Sequence, residues 1–283
     1  HNTACGRASL DASTAGDNNS ALGYSALGAN CVDDNTAVGH EALLAFTGSN
    51  ATAVGSGAMS SCTSGDKNTA VGMDSLGTID GQYNTALGFN ALAADCVNSN
   101  VAVGSSALLV FTGSNATAVG SGAADSLTTG ASNTAVGKGS LATTDDGANN
   151  VAVGVEALGT GNCVDNNTAL GFGALYAFTG SNATAVGSGA ADAATSAAYL
   201  TAVGTDALGA LPTGAANTAV GYKAFATLDN TETRNVALGA HAGRYCDATD
   251  DCVAIGYGAL SGATWSDVSG DTANGTKPTG HNN

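Results

Sequence analysis

Residues 35–43 read Asn-Thr-Ala-Val-Gly-His-Glu-Ala-Leu, and close copies of this stretch recur along nearly the whole chain. The glycine anchors sixteen copies, and successive anchors lie 16 to 18 residues apart. Two positions before the glycine stands Ala in all sixteen copies, and directly before it stands Val, Leu, Ile or Cys. Three positions before it stands Thr in eleven copies, Ser in one and Val in four. Such regularity indicates a tandem-repeat protein. We call the anchors the column glycines: Gly6, Gly23, Gly39, Gly55, Gly72, Gly88, Gly104, Gly120, Gly137, Gly154, Gly171, Gly187, Gly204, Gly221, Gly239 and Gly256.

The Thr-Ala-Val-Gly segment of each copy alternates between two faces with a period of two, which indicates a β-strand. A copy is too short for a leucine-rich repeat with its helix, but it suffices for two short strands and two turns. The sequence therefore predicts an all-β fold, a parallel β-solenoid (β-roll or β-helix) of about 16–17 coils with about 16–17 residues per coil. We expect residues 1–262 to form the solenoid and residues 263–283 to form a degenerate last coil or a connecting segment.

A longer period overlies the coils. A Phe-Thr-Gly-Ser-Asn-Ala-Thr-Ala-Val-Gly segment begins at Phe46, Phe111 and Phe178, at spacings of 65 and 67 residues, so four coils form one super-repeat. Coil length varies between the Leu of one coil and the Asn-Thr of the next. This segment is therefore predicted to be an exposed turn that tolerates change.

The two faces of the strand predict how the coil packs. Thr and Val share one face, and Ala and Gly share the other. If Val and Leu fill the interior, the Ala face points outward, and its invariance requires close packing there. Either a flat coil carries a second layer, or another chain covers the face. On this interpretation Glu at Ala102 and Ala135 breaks assembly.

Composition and charge exclude several classes of protein. The chain has 41 Gly but only 2 Pro, which does not fit collagen, and its 43% apolar residues do not fit a disordered chain. Seven Lys and Arg against 23 Asp and Glu give a formal charge of −16, which argues against nucleic-acid binding. No apolar stretch is long enough to predict a membrane-spanning helix.

The Ala-[Val/Ile/Leu]-Gly-x-x-Ala pattern resembles the repeats in the head domains of trimeric autotransporter adhesins, which form a left-handed parallel β-roll. The version in residues 84–92 and 217–225 is also similar to solenoid repeats of phage and algal-virus tail fibres. The resemblance covers roughly residues 2–260. It implies an extracellular, cell-surface or virion-associated protein that self-associates.

Catalysis requires unlike residues that converge in a pocket, and a ladder of similar coils offers flat faces. We therefore expect no enzyme and no cofactor. Acidic turns are the best candidates for ligands, because calcium binds carboxylates together with turn carbonyls. Asp is also common in ordinary solvated turns, which explains the same residues without a metal. The candidate calcium ligands are Asp33, Asp34, Asp145, Asp146, Asp250 and Asp251.

Two kinds of covalent modification are also predicted. Asn50, Asn115 and Asn182 are sequons in one register of the super-repeat, and thus candidate glycosylation sites, although the motif itself requires Asn and Thr there. Cys246 and Cys252 are close enough in sequence to form a disulfide in a small loop. The other recurrent cysteines, at positions 31, 96 and 163, lie four coils apart, roughly 19 Å along the axis, and a disulfide needs Cα atoms within about 7 Å. They are buried thiols or lateral cross-link points.

The Thr column also suggests an ice-binding solenoid, because flat Thr arrays on solenoids bind ice. Val replaces Thr four times in this column, which fits a half-buried column better than a surface that orders water. Ice binding is therefore a minor alternative.

The two chain ends favour a filament. The sequence begins directly with a coil strand at residues 2–6, and residues 271–275 form a degraded seventeenth copy. If a second copy followed the first, Gly256 and the next Gly6 would lie 283 − 256 + 6 = 33 residues apart, which is two coils. The leading hypothesis is a structural subunit of an extracellular fibre that stacks head to tail. The alternative is the trimeric shaft of an adhesin or a phage tail fibre that presents a receptor-binding tip. The assembly residues would be Asn2, Thr3, Ala4, Cys5 and Gly6 at one end and Asp271, Thr272 and Ala273 at the other.

Overall fold

The computed structural model describes residues 1–14, 16–78, 80–211, 213–227, 232–244 and 250–261. The chain divides into two compact units, residues 1–148 and 149–283. The predicted last segment, 263–283, lies outside the described residues. Unit 1 contains β1 (Thr3–Cys5), β2 (Ser20–Leu22), β3 (Thr36–Val38), β4 (Thr52–Val54), β5 (Thr69–Val71), β6 (Thr85–Leu87), β7 (Val101–Val103), β8 (Thr117–Val119) and β9 (Thr134–Val136). Unit 2 contains β10 (Val151–Val153), β11 (Thr168–Leu170), β12 (Thr184–Val186), β13 (Thr201–Val203), β14 (Thr218–Val220), β15 (Val236–Leu238) and β16 (Val253–Ile255).

Within each unit, every strand pairs in parallel with the next strand along the chain. The register is constant, with alanine opposite alanine: Ala37 faces Ala53 in unit 1, and Ala185 faces Ala202 in unit 2. The predicted all-β parallel β-solenoid is confirmed. The expectation of two strands per coil is wrong, because in the described residues each coil has one three-residue strand and the rest of it consists of turns.

The interior of the coil is lined by alanine, not by valine. The central strand residue is fully buried at Ala37 and Ala102, whereas the flanking Thr and Val side chains point outward and are exposed or half-buried. The prediction of an outward Ala face covered by a second layer or another chain is therefore wrong. Alanine is invariant because the interior of so short a coil leaves no room for a larger side chain at this position. The Ala and Leu after the glycine, such as Ala42 and Leu43, complete the core.

Aromatic residues fill the interior once per super-repeat. Phe46, Phe111 and Phe178 are completely buried. The four-coil period thus places a large interior side chain at a regular interval, while the corresponding position of the following coils holds other buried residues, Cys62, Leu127 and Ala194.

Tight turns return the chain to the next strand, and they use left-handed backbone conformations. In the third coil, Glu41 has φ 56° and Leu43 has φ 54°, and Asp34, before the strand, has φ 63°. These positions recur along both units, often with non-glycine residues. Asn and Asp tolerate this conformation best, but Leu occupies it as often, as at Leu43 and Leu92, so the stacking of the coils and not residue preference alone fixes these turns.

The Asn before the strand is buried, although the sequence predicted an exposed turn there. Its side chain bonds one coil to the next: Asn35 N–H donates to Asn19 Oδ1 (2.9 Å), and Asn35 Nδ2 donates to Gly48 O (3.0 Å). Unit 2 repeats the contact between Asn167 and Asn150 (2.9 Å). We call these residues the asparagine ladder: Asn19, Asn35, Asn68, Asn84, Asn100 and Asn133 in unit 1, and Asn150, Asn167, Asn217 and Asn235 in unit 2, all buried.

Candidate functional site

Among the strands that the structure describes, the first strand of unit 1, β1, pairs with β2. In this pair Thr3 N–H donates to Asn19 O (2.8 Å) and Gly23 N–H donates to Cys5 O (2.9 Å). Successive N–H groups of a strand point to opposite sides, so Ala4 N–H points away from β2. Residues 1–8 are all exposed. Within the described residues, β1 is therefore hydrogen-bonded to another strand on one side, and we call its other side the open edge.

The open edge carries donors that every later coil uses. Each later column glycine of unit 1 donates its N–H to the preceding coil, as Gly39 does to Leu22 O (2.8 Å). Gly6 N–H and Asn2 N–H find no acceptor within the described part of the chain. Together with Ala4 N–H they form three donors in the register that a preceding coil would satisfy. We call Asn2, Ala4 and Gly6 the open-edge donors.

Asn2 occupies, in the first coil, the position that the asparagine ladder occupies in later coils. Its Oδ1 accepts from Asn19 N–H (2.9 Å), and its Nδ2 donates to Gly16 O (2.7 Å). The same two contacts join later coils to each other. Both of these contacts of Asn2 are made to the second coil. The structure therefore brings the predicted residues 2–6 together as one edge. Their predicted counterparts, Asp271, Thr272 and Ala273, lie outside the described residues.

The candidate calcium ligands bond neighbouring turns instead of converging on one point. Asp33 Oδ1 accepts from Asp17 N–H (2.7 Å), Asp34 Oδ1 accepts from Asn18 Nδ2 (3.2 Å), and the Asp145 carbonyl accepts from Thr128 N–H (2.6 Å). Asp146 is exposed. Among the residues that the structure describes, no three His, Cys, Asp or Glu side chains are grouped as metal ligands would be.

Asp250 and Asp251 make several hydrogen bonds to the preceding coil. Asp250 Oδ1 accepts from Thr233 N–H (2.8 Å), and the Asp251 carboxylate accepts from Arg234 Nε (2.6 Å) and from its terminal guanidinium nitrogen (3.0 Å). The hydrogen bond from Arg234 holds the pKa of Asp251 below its usual range. These carboxylates are used in joining one coil to the next.

The three sequon asparagines are exposed at left-handed turn positions, with φ of 57° at Asn50, 60° at Asn115 and 58° at Asn182. Each donates its Nδ2 to the preceding serine, as Asn50 does to Ser49 Oγ (2.9 Å). The turn conformation alone accounts for Asn at these positions, and the exposed side chains remain accessible to a glycosyltransferase.

The recurrent cysteines are interior groups. Cys31, Cys96 and Cys163 are buried, and desolvation raises the pKa of the Cys96 thiol to about 12. Of the two predicted alternatives, the structure supports buried thiols, because an inaccessible thiol cannot cross-link chains. Cys252 is half-buried, and its predicted partner Cys246 lies outside the described residues.

The asparagine ladder was missed as a functional element from the sequence, although its signal was present. Asn precedes the strand in most copies, and a tolerant exposed turn would not keep one residue type so regularly. The ladder shows that inter-coil contacts are made by side chains as well as by the backbone.

Neither the family models nor the curated proteins with which we compared the chain give a match. Across the described ranges there is also no helix with the length and apolar character needed to cross a membrane.

Proposed function

We propose that this protein is a structural subunit of an extracellular fibre, in which β1 of one copy docks on the last coil of another. The open-edge donors carry this proposal. Asn2, Ala4 and Gly6 present N–H groups in the register that joins consecutive coils within each unit. The resemblance to adhesin-head and tail-fibre repeats supports a location outside the cell, on a cell surface or on a virion.

The apolar residues of the first coil are also more exposed than their equivalents in later coils. Ala4 is exposed and Leu10 is half-buried, whereas the equivalent Ala37 and Leu43 of the third coil are fully buried. A docked coil would cover Ala4 and Leu10 as later coils cover their neighbours. Hydrophobic burial and backbone pairing therefore favour the same contact.

Stacking of this kind extends without closing. The contact joins two different surfaces of the subunit, so each docked copy presents a new open edge. In solenoids each coil contacts only its neighbours, so the same interaction propagates within and between copies. The expected product is a filament.

The test replaces Ala4 by Pro. Proline removes the N–H that points to the open side and places its ring there, while Thr3 N–H and Cys5 O keep their bonds to β2. We expect Ala4→Pro to keep the β-sheet circular dichroism spectrum and to abolish filaments in electron micrographs. Thr3→Val is the control, because it leaves all three open-edge donors in place and should assemble like the wild type.

Filaments of normal length from folded Ala4→Pro would overturn the proposal. Deleting residues 1–6 is a weaker test, because β2 would then present the same donors at Asn19, Ala21 and Gly23. A shortened chain could dock through that edge.

A further inference from the structure

The outward face of the strands is a regular two-column array in each unit. The first strand residue is Thr, Ser or Val and the third is Val, Leu, Ile or Cys, over nine strands in unit 1 and seven in unit 2. All of these side chains are exposed or half-buried, and none is charged or aromatic. Exposed positions normally include Lys and Glu, so the absence of charge along a whole face requires an explanation.

Within the described residues, the strand hydroxyl groups of this face make no hydrogen bond to the protein. Turn threonines behave differently: the hydroxyls of Thr47, Thr112 and Thr179 donate to carbonyls of the next coil at 2.7, 3.0 and 2.8 Å. The strand hydroxyls thus face solvent as free donors and acceptors, next to the methyl groups of the Val column.

The outward side chains form a lattice with two repeat distances. Parallel strands in register lie about 4.8 Å apart, and the first and third residues of a strand lie roughly 6.6–7 Å apart. The register is kept from strand to strand, so both spacings repeat without drift. They lie close to the two repeats of oxygen atoms on the prism face of hexagonal ice.

The outward orientation removes the objection raised by Val in the Thr column. Val151 and Val236 are each 37% exposed, so the column is not an interior one. Valine has nearly the same shape as threonine, so the substitution keeps the surface flat. Leucine in the third position disturbs it more, since Leu22 is 52% exposed and Leu87 47%, against 37% for Val54. The most uniform patches are therefore the uninterrupted Thr-Ala-Val strands β3–β5 in unit 1 and β12–β14 in unit 2.

We propose that these two patches bind ice. A second copy of the chain is a poorer occupant, because the buried hydroxyl groups would find partners only where two threonine columns met in register. A polysaccharide surface is also a poorer occupant, because sugar rings stack on aromatic side chains and these columns carry none. An ice lattice offers hydrogen-bond partners at both spacings, and it is neutral, as the face is.

The experiment places one charge at the centre of each patch. Thr52→Lys and Thr201→Lys are combined in one variant, and the control combines Ser61→Lys and Ser196→Lys, which lie at exposed turn positions away from the strands. Each fluorescently labelled protein is exposed to a growing single ice crystal, and circular dichroism checks its fold. We expect the wild type and the control to be incorporated into the ice, and the strand-face variant to be excluded from it.

Exclusion of the wild type from ice would overturn the proposal, as would equal incorporation of a folded strand-face variant. Sedimentation velocity tests the competing occupant. A lateral dimer that is present in the wild type and lost in the strand-face variant would assign the face to a second copy instead. Ala4→Pro should still bind ice, so a failure of fibre assembly and a failure of ice binding are distinguishable.

Discussion

At the scale of single residues, the column glycines show why one position never varies. Gly171 has φ 138°, and a Cβ atom added there would lie 2.4 Å from the carbonyl oxygen of Gly187 in the next coil. Both the backbone conformation and the stacking distance therefore exclude a side chain. Gly173, only two residues away, has φ 60° and no atom within 4 Å of an added Cβ.

These two glycines give a matched pair. Gly171→Ala should destabilise unit 2 by about 3 kcal/mol or more, since backbone strain and overpacking each cost roughly 1–3 kcal/mol. Gly173→Ala should lower the free energy of unfolding by only about 1 kcal/mol, because this is the cost of holding an alanine in the left-handed conformation. Thermal unfolding followed by circular dichroism measures both. If both variants lost the same stability, the carbonyl oxygen of Gly187 would not be the reason why Gly171 must be glycine.

A second residue-scale prediction concerns pH. Desolvation raises the pKa of Asp192, and the nearby Asp206 carboxylate raises it further. The folded state therefore binds the proton more tightly than the unfolded state does, so this contribution to stability is present at low pH and is lost as the pH rises. Asp192→Asn, which cannot ionise, should raise the midpoint of thermal unfolding at pH 7 and change it little at pH 3.

The comparison is made as a difference between the variant and the wild type at each pH, because other carboxylates titrate in both. Asp146→Asn is the control, since that side chain is exposed. A gain for Asp192→Asn that is as large at pH 3 as at pH 7 would contradict the assigned cause.

At the scale of the element, the alternation of the strand decides where side chains go, but it does not say which face is inside. Ala102 is fully buried and Val103 is half-buried and points outward. Ala102→Glu should therefore place a carboxylate in the interior and unfold the coils around it, a penalty that exceeds that of ordinary core substitutions. Val103→Glu should leave the fold intact. Circular dichroism and thermal unfolding of the two variants distinguish the faces, and the reverse result would restore an outward Ala face.

The strands and their parallel stacking could be predicted from the sequence because repeat length and period-two alternation depend only on local chemistry. The face that lies in the interior could not be predicted, because both Val and Ala are apolar. Ala37 rather than Val38 is buried because the coil is narrow, and the sequence does not show that width. The burial of Asn35 was missed for a related reason. Asn before a strand fits an exposed turn, and its interior role depends on a carbonyl, Gly48 O, that only the next coil provides. At the candidate site, the sequence predicted a strand over residues 2–6. It did not predict the open-edge donors, because the direction of each N–H group is known only from the structure.

At the scale of the whole molecule, stability is a sum over neighbouring coils. Within each unit, the described strands pair with the strands before and after them in sequence. Such a chain should tolerate the loss of a complete block of coils, provided that the two surfaces joined afterwards match. The four-coil super-repeat defines where that match occurs, because the segments that follow Phe46 and Phe111 are the same over Thr-Gly-Ser-Asn-Ala-Thr-Ala-Val-Gly.

Removing residues 47–111 of unit 1 is the corresponding prediction. The deletion joins Phe46 to Thr112 and brings β8 next to β3 in place of β4. Thr36 N–H, which donates to Ala51 O (2.8 Å), would find Ala116 O, which already accepts from Val101 N–H (2.9 Å) in the same way. We expect the shortened chain to fold with an unchanged β-sheet spectrum per residue. Removing residues 47–103 is the control, because it joins Phe46 to Gly104 within a coil, and it should lose that spectrum. If both deletions folded equally well, or neither did, coil-to-coil register would not be what holds unit 1 together.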